Sequence, residues 1–265
     1  MNAQALKNHS LAGPPSIRRL LGAYLEETRC EALRLLRNPS LVFPVMIMPL
    51  ALYALFAVAL FGQAIDEKPE MGLFFFTAFS VMAVSMPGLF GLSSSLAMER
   101  EMGLMLLKRA QPAPTGSWLV AKIVCGLAFG VLAYLPLVVV GVATGSVSIE
   151  PGAMMNLSLT LVACSIPFCA MGLMMGSLVK GTAAAGFANL VYLPGCYLSG
   201  LFFPLPASMN WQKPIWPQFH VSELAMHAAG AAKPYTVSVT TALGGLIAFT
   251  AMFSAVAIWR LARKG

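Results

Sequence analysis

Charge is what this chain has least of. Asp, Glu, Lys and Arg make up 10% of its 265 residues, against 58% hydrophobic, whereas soluble domains carry roughly 25% charged residues. A water-soluble globule is excluded, and the chain reads as a membrane protein. No G-x-x-x-x-G-K-[ST] phosphate loop occurs, so nothing here cradles ATP by that mechanism, and the energy source is expected on a separate polypeptide. H-E-x-x-H, G-x-S-x-G and Cys/His constellations are missing too, which leaves a membrane-embedded enzyme with the least support. Gly91-Leu92-Ser93-Ser94-Ser95 has no His or Asp at membrane depth to act with and reads as small-residue helix packing. The five cysteines lack C-x-x-C spacing and read as packing residues. Of three histidines, His220 and His227 stand seven apart with no third ligand nearby, so the 17 methionines are better explained as gap-fillers than as a soft-metal path.

What is present is long apolar runs. About 20 residues are needed to cross roughly 30 Å of hydrocarbon, and six stretches qualify: 41–62, 71–97, 119–144, 154–179, 183–203 and 236–259. None has a charge near its middle, which argues against a carrier coupled through a buried carboxylate. Lys122, just inside the third, is expected to snorkel to the interface. Of the 17 bases, only Lys68, Lys213 and Lys233 fall in one set of alternate loops. Both termini are therefore expected on the cytoplasmic side of a bacterial cytoplasmic (inner) membrane, in a multi-pass chain. The net charge of +7 is then a topology signal, with no nucleic-acid partner required. The first long apolar run begins only at Leu41, so no signal peptide is expected and the first span stays in the membrane.

Residues 16–38 form an amphipathic pattern. From Ser16, a plausible N-cap, Ile17, Leu20, Leu21, Tyr24, Leu25, Thr28, Ala32 and Leu36 follow helical spacing. Arg18, Arg19, Glu26, Glu27, Arg29, Arg34 and Arg37 fill the remaining positions, and Asn38-Pro39 ends the run. Basic residues facing anionic headgroups favour an interfacial helix, the alternative being a soluble helix packed on another protein.

Between the second and third runs, 98–122 is a charged island, MEREMGLMLLKRAQPAPTGSWLVAK. Acids at its front and bases behind suit the dipole of a short helix, which Pro112 and Pro114 then stop. Its apolar residues could rest on the membrane surface, yet both charge signs beside an apolar stripe are the ingredients of a docking element. After the fifth run, Pro204, Pro206, Pro214 and Pro217 break any continuous helix, among the interfacial aromatics Phe202, Phe203, Trp211, Trp216 and Phe219. Non-helical backbone at membrane depth must be covered by protein or line a cavity, so this segment is expected to dip into the outer leaflet, a plain external loop being the alternative.

The island's E-R-E-x-G, apolar run, bases and proline turn (Glu99, Arg100, Glu101, Gly103, Lys108, Arg109, Pro112, then Ala121 and Lys122) is similar to the permeases of ABC-2 type transporters. So is Ser199-Gly200-Leu201-Phe202-Phe203-Pro204 followed by Pro206, Met209, Trp211, Pro217 and His220. Asn210, Gln218 and Met226 depart from the family pattern, so no substrate subgroup is assigned. The resemblance implies one all-α transmembrane domain over 1–265. It would comprise an interfacial helix (16–38), six transmembrane helices, a coupling loop (98–118) and an external re-entrant segment (204–235). It also implies an exporter permease that binds no cofactor itself and works as a dimer, taken as a homodimer, with two ABC ATPase subunits that carry ATP and Mg. Glu99, Arg100, Glu101, Gly103, Lys108, Arg109 and Pro112 are its expected ATPase-coupling residues. Gly200, Pro204, Pro206, Trp211, Pro217 and His220 are expected in the re-entrant segment. An amphipathic cargo (drug, lipid or glycan-like) and contact with membrane lipid complete the expectation. A self-contained secondary transporter or channel for a small solute is the competing reading.

Overall fold

The computed structural model describes residues 17–110, 114, 116–231 and 236–264. Ser16, Pro112 and 232–235 lie outside them. All regular structure among the described residues is helical. Helix α1 (Ile17–Leu36) precedes α2 (Pro39–Tyr53), which runs on through π turns at Ala54–Leu60 and a short α3 (Gly62–Glu67). Next, α4 (Pro69–Met86) passes through π turns at Pro87–Gly91 into α5 (Leu92–Glu101), and α6 (Leu104–Ala110) follows. Then come α7 (Ser117–Ala143), α8 (Pro151–Cys164), α9 (Ile166–Leu178), α10 (Ala183–Leu198), 3₁₀ turns at Ala207–Ile215, α11 (Pro217–Ala228) and α12 (Val239–Lys264).

Among the described residues, five helical stretches are long and apolar enough to cross a membrane: Val42–Leu60, Pro69–Glu101, Ser117–Ala143, Pro151–Leu178 and Val239–Arg263. The sixth expected span, 183–203, is a shorter apolar helix, Ala183–Leu198. Its early stop has a local cause. Gly200, at φ +76, takes a left-handed conformation that costs glycine little. The Gly200 N–H then donates to Tyr197 O at 3.0 Å and the Leu201 N–H to Cys196 O at 3.1 Å, the paired bonds of a Schellman stop. Pro204 and Pro206 keep the chain from resuming the helix.

The span Pro69–Glu101 is the hub, and its middle, residues 75–93, is buried throughout. Its π turns start at Pro87, which has no N–H to give and pushes away the carbonyl one turn back. Ser85 and Ser93 hydroxyls donate to Met82 O and Phe90 O at 3.2 Å, supplying bonds to carbonyls around the widened turns. Two G-x-x-x-G pairs let neighbouring helices approach this hub closely. On α9, a β-carbon at Gly172 would stand 2.6 Å from Gly88 O and Leu89 O, and one at Gly176 2.6 Å from Ser93 O. On α7, one at Gly130 would stand 2.9 Å from Val84 O. Hydroxyl pairs lock the interior further: Tyr53–Ser146 at 2.7 Å and Ser85–Tyr192 at 2.5 Å. Finally, α11 packs against α12, α8 and α4, burying Pro217, Gln218, Phe219 and His220.

Candidate functional site

The hub's Glu99 end gathers charge from four helices. Ser95 and Glu99 are four apart on α5 and therefore share a face. Helix α1 packs along α7 and turns Glu31 and Leu35 inward. Its apolar Ile17, Leu21, Leu25 and Leu36 stay exposed, so the side facing the protein is partly ionic and the oily stripe looks away. Lys122 sits on the buried α7 stripe with Ala121, Cys125, Gly126 and Phe129. Instead of snorkelling as expected, it is 0% exposed.

The Lys122 ammonium reaches Glu31 Oε1 at 3.1 Å, Glu31 Oε2 at 3.2 Å and Glu99 Oε1 at 2.8 Å, and donates to Ser95 Oγ as well. An ammonium has three protons, and these acceptors satisfy them. The Arg34 guanidinium joins Glu99 Oε1 at 2.8 Å and Glu31 Oε1 at 2.5 Å. Lys108, from α6, adds Glu99 at 3.5 Å and Glu27 at 3.9 Å and lies 5.9 Å from the Trp118 ring centroid. Three cations thus meet Glu27, Glu31 and Glu99, and the cluster is formally neutral. Burial alone would raise the Glu31 carboxyl, but Lys122 and Arg34 outweigh it and hold the group below its ordinary value.

Other island residues are placed differently from one another. Arg100 donates to Gly176 O at 3.0 Å and Ser177 O at 2.7 Å, last-turn carbonyls of α9 that have no helical partner of their own. Glu101 is exposed, and its carboxylate lies where a β-carbon on Gly181 would stand. Gly103 has φ +70 and makes the corner between α5 and α6. Arg109 is within α6, and its side chain, like Pro112, is outside the described residues. The coupling set therefore divides. Glu99, Arg100 and Lys108 are engaged with their own chain, while Glu101 with the apolar Met102, Leu106 and Leu107 is exposed.

The second expected set, at the hub's other end, is also divided. Gly200 stops α10, and Pro204, Pro206 and Trp211 are exposed. Pro217 opens α11. His220 is buried against Gly245, with Nε2 2.9 Å from Pro214 O, which ties α11 back to the 3₁₀ turns.

Sequence reasoning did not single out Glu31, Ser95 or the burial of Lys122. Two signals were available. The Ser95/Glu99 spacing is one; the other is the inward heptad-like position of Glu31 between Tyr24, Thr28 and Leu35.

Comparison with known proteins falls on this same framework. The sequence model of the family "ABC-2 type transporter" matches residues 27–228, from Glu27 of the ion cluster to the end of α11. The chain is 26% identical over 200 residues to "Putative transport permease YvfS" of Bacillus subtilis (strain 168), covering 74% of this chain and 80% of the relative.

Proposed function

Because the chain belongs to the ABC-2 type transporter family, and is thus a multi-pass transport permease, we propose that it is the membrane subunit of an ATP-driven exporter. In this reading it moves an amphipathic compound outward across a bacterial cytoplasmic membrane. Two separate ABC ATPase subunits bind ATP and Mg and serve a pair of identical permeases. Both termini and the island face the cytoplasm, α1 lies in the inner interface, α10 is a sixth membrane helix, and α11 with the turns before it is re-entrant from outside.

The observation that carries this reading is the construction of the island. Its tip exposes Met102, Leu106 and Leu107 beside Glu101, an apolar contact with a charged rim. Behind the tip, Lys108, Glu99 and Arg100 tie α6 and α5 to α1, α7 and α9. A partner gripping the tip therefore pulls on a rigid joint through which displacement reaches several helices together. That is what an ATPase needs in order to work on a chain without a phosphate loop.

The test is co-purification with the cognate ABC ATPase and permease-stimulated ATP hydrolysis in proteoliposomes. Leu106→Glu with Leu107→Glu should abolish both while leaving membrane insertion and thermal stability unchanged. Undiminished ATPase capture by that variant, or solute movement by the chain alone on an ion gradient, overturns the reading.

A further inference from the structure

At the end of the hub away from the ion joint, between α4, the end of α10, the 3₁₀ turns and α11, lies a cavity of about 240 Å³. Polar groups of both signs line it. The Lys213 ammonium has no hydrogen-bond or ionic partner among the described residues. Thr77 is 1% exposed, and its hydroxyl has no partner either, although an unfilled buried donor is costly. These two are donors without an acceptor. Glu223 Oε2 accepts the Thr236 and Val237 N–H groups at 3.0 and 3.5 Å, and Oε1 has no hydrogen-bond partner among the described residues. Ser199 and Ser222 hydroxyls donate to Cys196 O and Phe219 O, each at 3.0 Å, so their lone pairs remain as acceptors. The cavity thus offers donors for an anion and three acceptors for a cation.

A second hollow, of about 330 Å³, abuts the first and shares Phe74 and Pro204 with it. Its walls are chiefly aromatic, from Phe61, Phe75, Phe202 and Phe203, with Lys68 and Glu70 also on the lining, and the aromatic part suits a hydrocarbon chain.

We propose that this paired site holds a phospholipid whose headgroup carries a phosphate and a primary ammonium, as in phosphatidylethanolamine. The phosphate takes Lys213 and the Thr77 hydroxyl, the ammonium takes Glu223 with the serine lone pairs, and an acyl chain lies along the phenylalanine wall. The choice of headgroup follows from donor arithmetic. Choline has no N–H to give to three acceptors, and glycerol leaves Glu223 facing no cation. A free amino-phosphate would leave the aromatic hollow empty. The site is independent of whether the chain exports anything.

The purified full-length chain in detergent, titrated calorimetrically with dihexanoyl phosphatidylethanolamine, tests this. The expected result is binding about tenfold tighter than for dihexanoyl phosphatidylcholine or phosphatidylglycerol, as one charge-assisted contact is worth. Lys213→Gln and Glu223→Gln should each weaken it by about tenfold, and Thr77→Val by roughly threefold. Lys213 is only half-buried, so Lys213→Gln should melt like the parent, and its affinity is then read on folded protein even if Glu223→Gln is not. Equal affinity for the three headgroups, or unchanged affinity in Lys213→Gln, overturns the proposal. So does phosphoethanolamine alone binding as tightly as the lipid, which would make this a site for a free solute.

Discussion

The two ends of the hub use charge in opposite ways. Phe74 and Glu99 are separated by ~37 Å of helix. Around Glu99, three cations and three carboxylates from four helices are packed on one another, with Lys122 sealed at 0% exposure. Around Phe74, Lys213 and Glu223 face an open cavity, and aromatic rings provide most of the cohesion. Desolvating an ion costs several kcal/mol unless its hydrogen bonds are replaced. The first end offsets much of that cost by pairing its charges, with only Glu99 Oε2 and the Arg34 Nε–H of the cluster left buried without a hydrogen-bond partner among the described residues. The second leaves polar groups unsaturated, so it can take up something from outside the chain. A joint at one end of a helix and a receptacle at the other fit the proposed reading, in which a partner pushes on the first end.

Breaking the joint should produce the largest effect. Lys122→Met removes a sealed cation and leaves Glu31 and Glu99 underpaired, so a loss of about 3–5 kcal/mol is expected, measured as unfolding in mixed micelles. Adding Glu31→Gln should recover part of it, because the remaining charges then balance better; strictly additive losses would show that the cluster is not one network. Next in size is the close approach of the helices to the hub. Gly172→Val puts carbon into space already held by Gly88 O and Leu89 O, and about 1–3 kcal/mol should be lost. The exposed Gly186, which has nothing within 4 Å, should tolerate the same change. Equal melting of the two variants would remove the G-x-x-x-G contact from the account.

Much of this was legible in the residues and some was not, for physical reasons. Apolar run length placed the membrane helices because hydrocarbon thickness is a one-dimensional constraint. Family membership was likewise legible, since the E-R-E-x-G island and the S-G-L-F-F-P stop are local. The helix expected over 183–203 was found as α10, but its early stop was not read, because run length counts Leu201, Phe202 and Phe203 as membrane residues whereas the Gly200 turn ends the helix before them. Lys122 was misread because a lysine near the end of a span has two outcomes, water or a buried partner. The partners, Glu31 and Glu99, are 91 and 23 residues away. Pairing at that separation is a tertiary fact, which no single window of sequence displays.

Acid should loosen the joint by a smaller amount than deletion does. The Glu31 carboxyl is held below its ordinary value in the folded chain, so its contribution is complete above the unfolded value of about 4.3 and is lost as pH falls through the folded one. Thermal stability should therefore show no Glu31-dependent change between pH 8 and 6 and should drop at strongly acid pH. Glu31→Gln, still facing Lys122, Arg34 and Ser95, should begin lower and fall less steeply. Parallel acid limbs in the two proteins would show that Glu31 is not the group being titrated.

The smallest effect sharpens the comparison most, because it asks the same chemical question at both ends. Lys108 is 21% exposed and lies 3.5 and 3.9 Å from Glu99 and Glu27, and Lys213 is half-buried with no ionic partner among the described residues. Lys108→Gln should cost about 0.5–1.5 kcal/mol, more than an exposed pair because Glu99 is buried, yet less than Lys122 because solvent still screens it. Lys213→Gln should stay within about 0.5 kcal/mol of the parent. Raising salt from 0.05 to 0.5 M should shrink the Lys108 difference and leave the Lys213 one where it was. If both lysines cost the same and respond alike to salt, the two ends do not differ in how they hold charge, and the division into a joint and a receptacle fails.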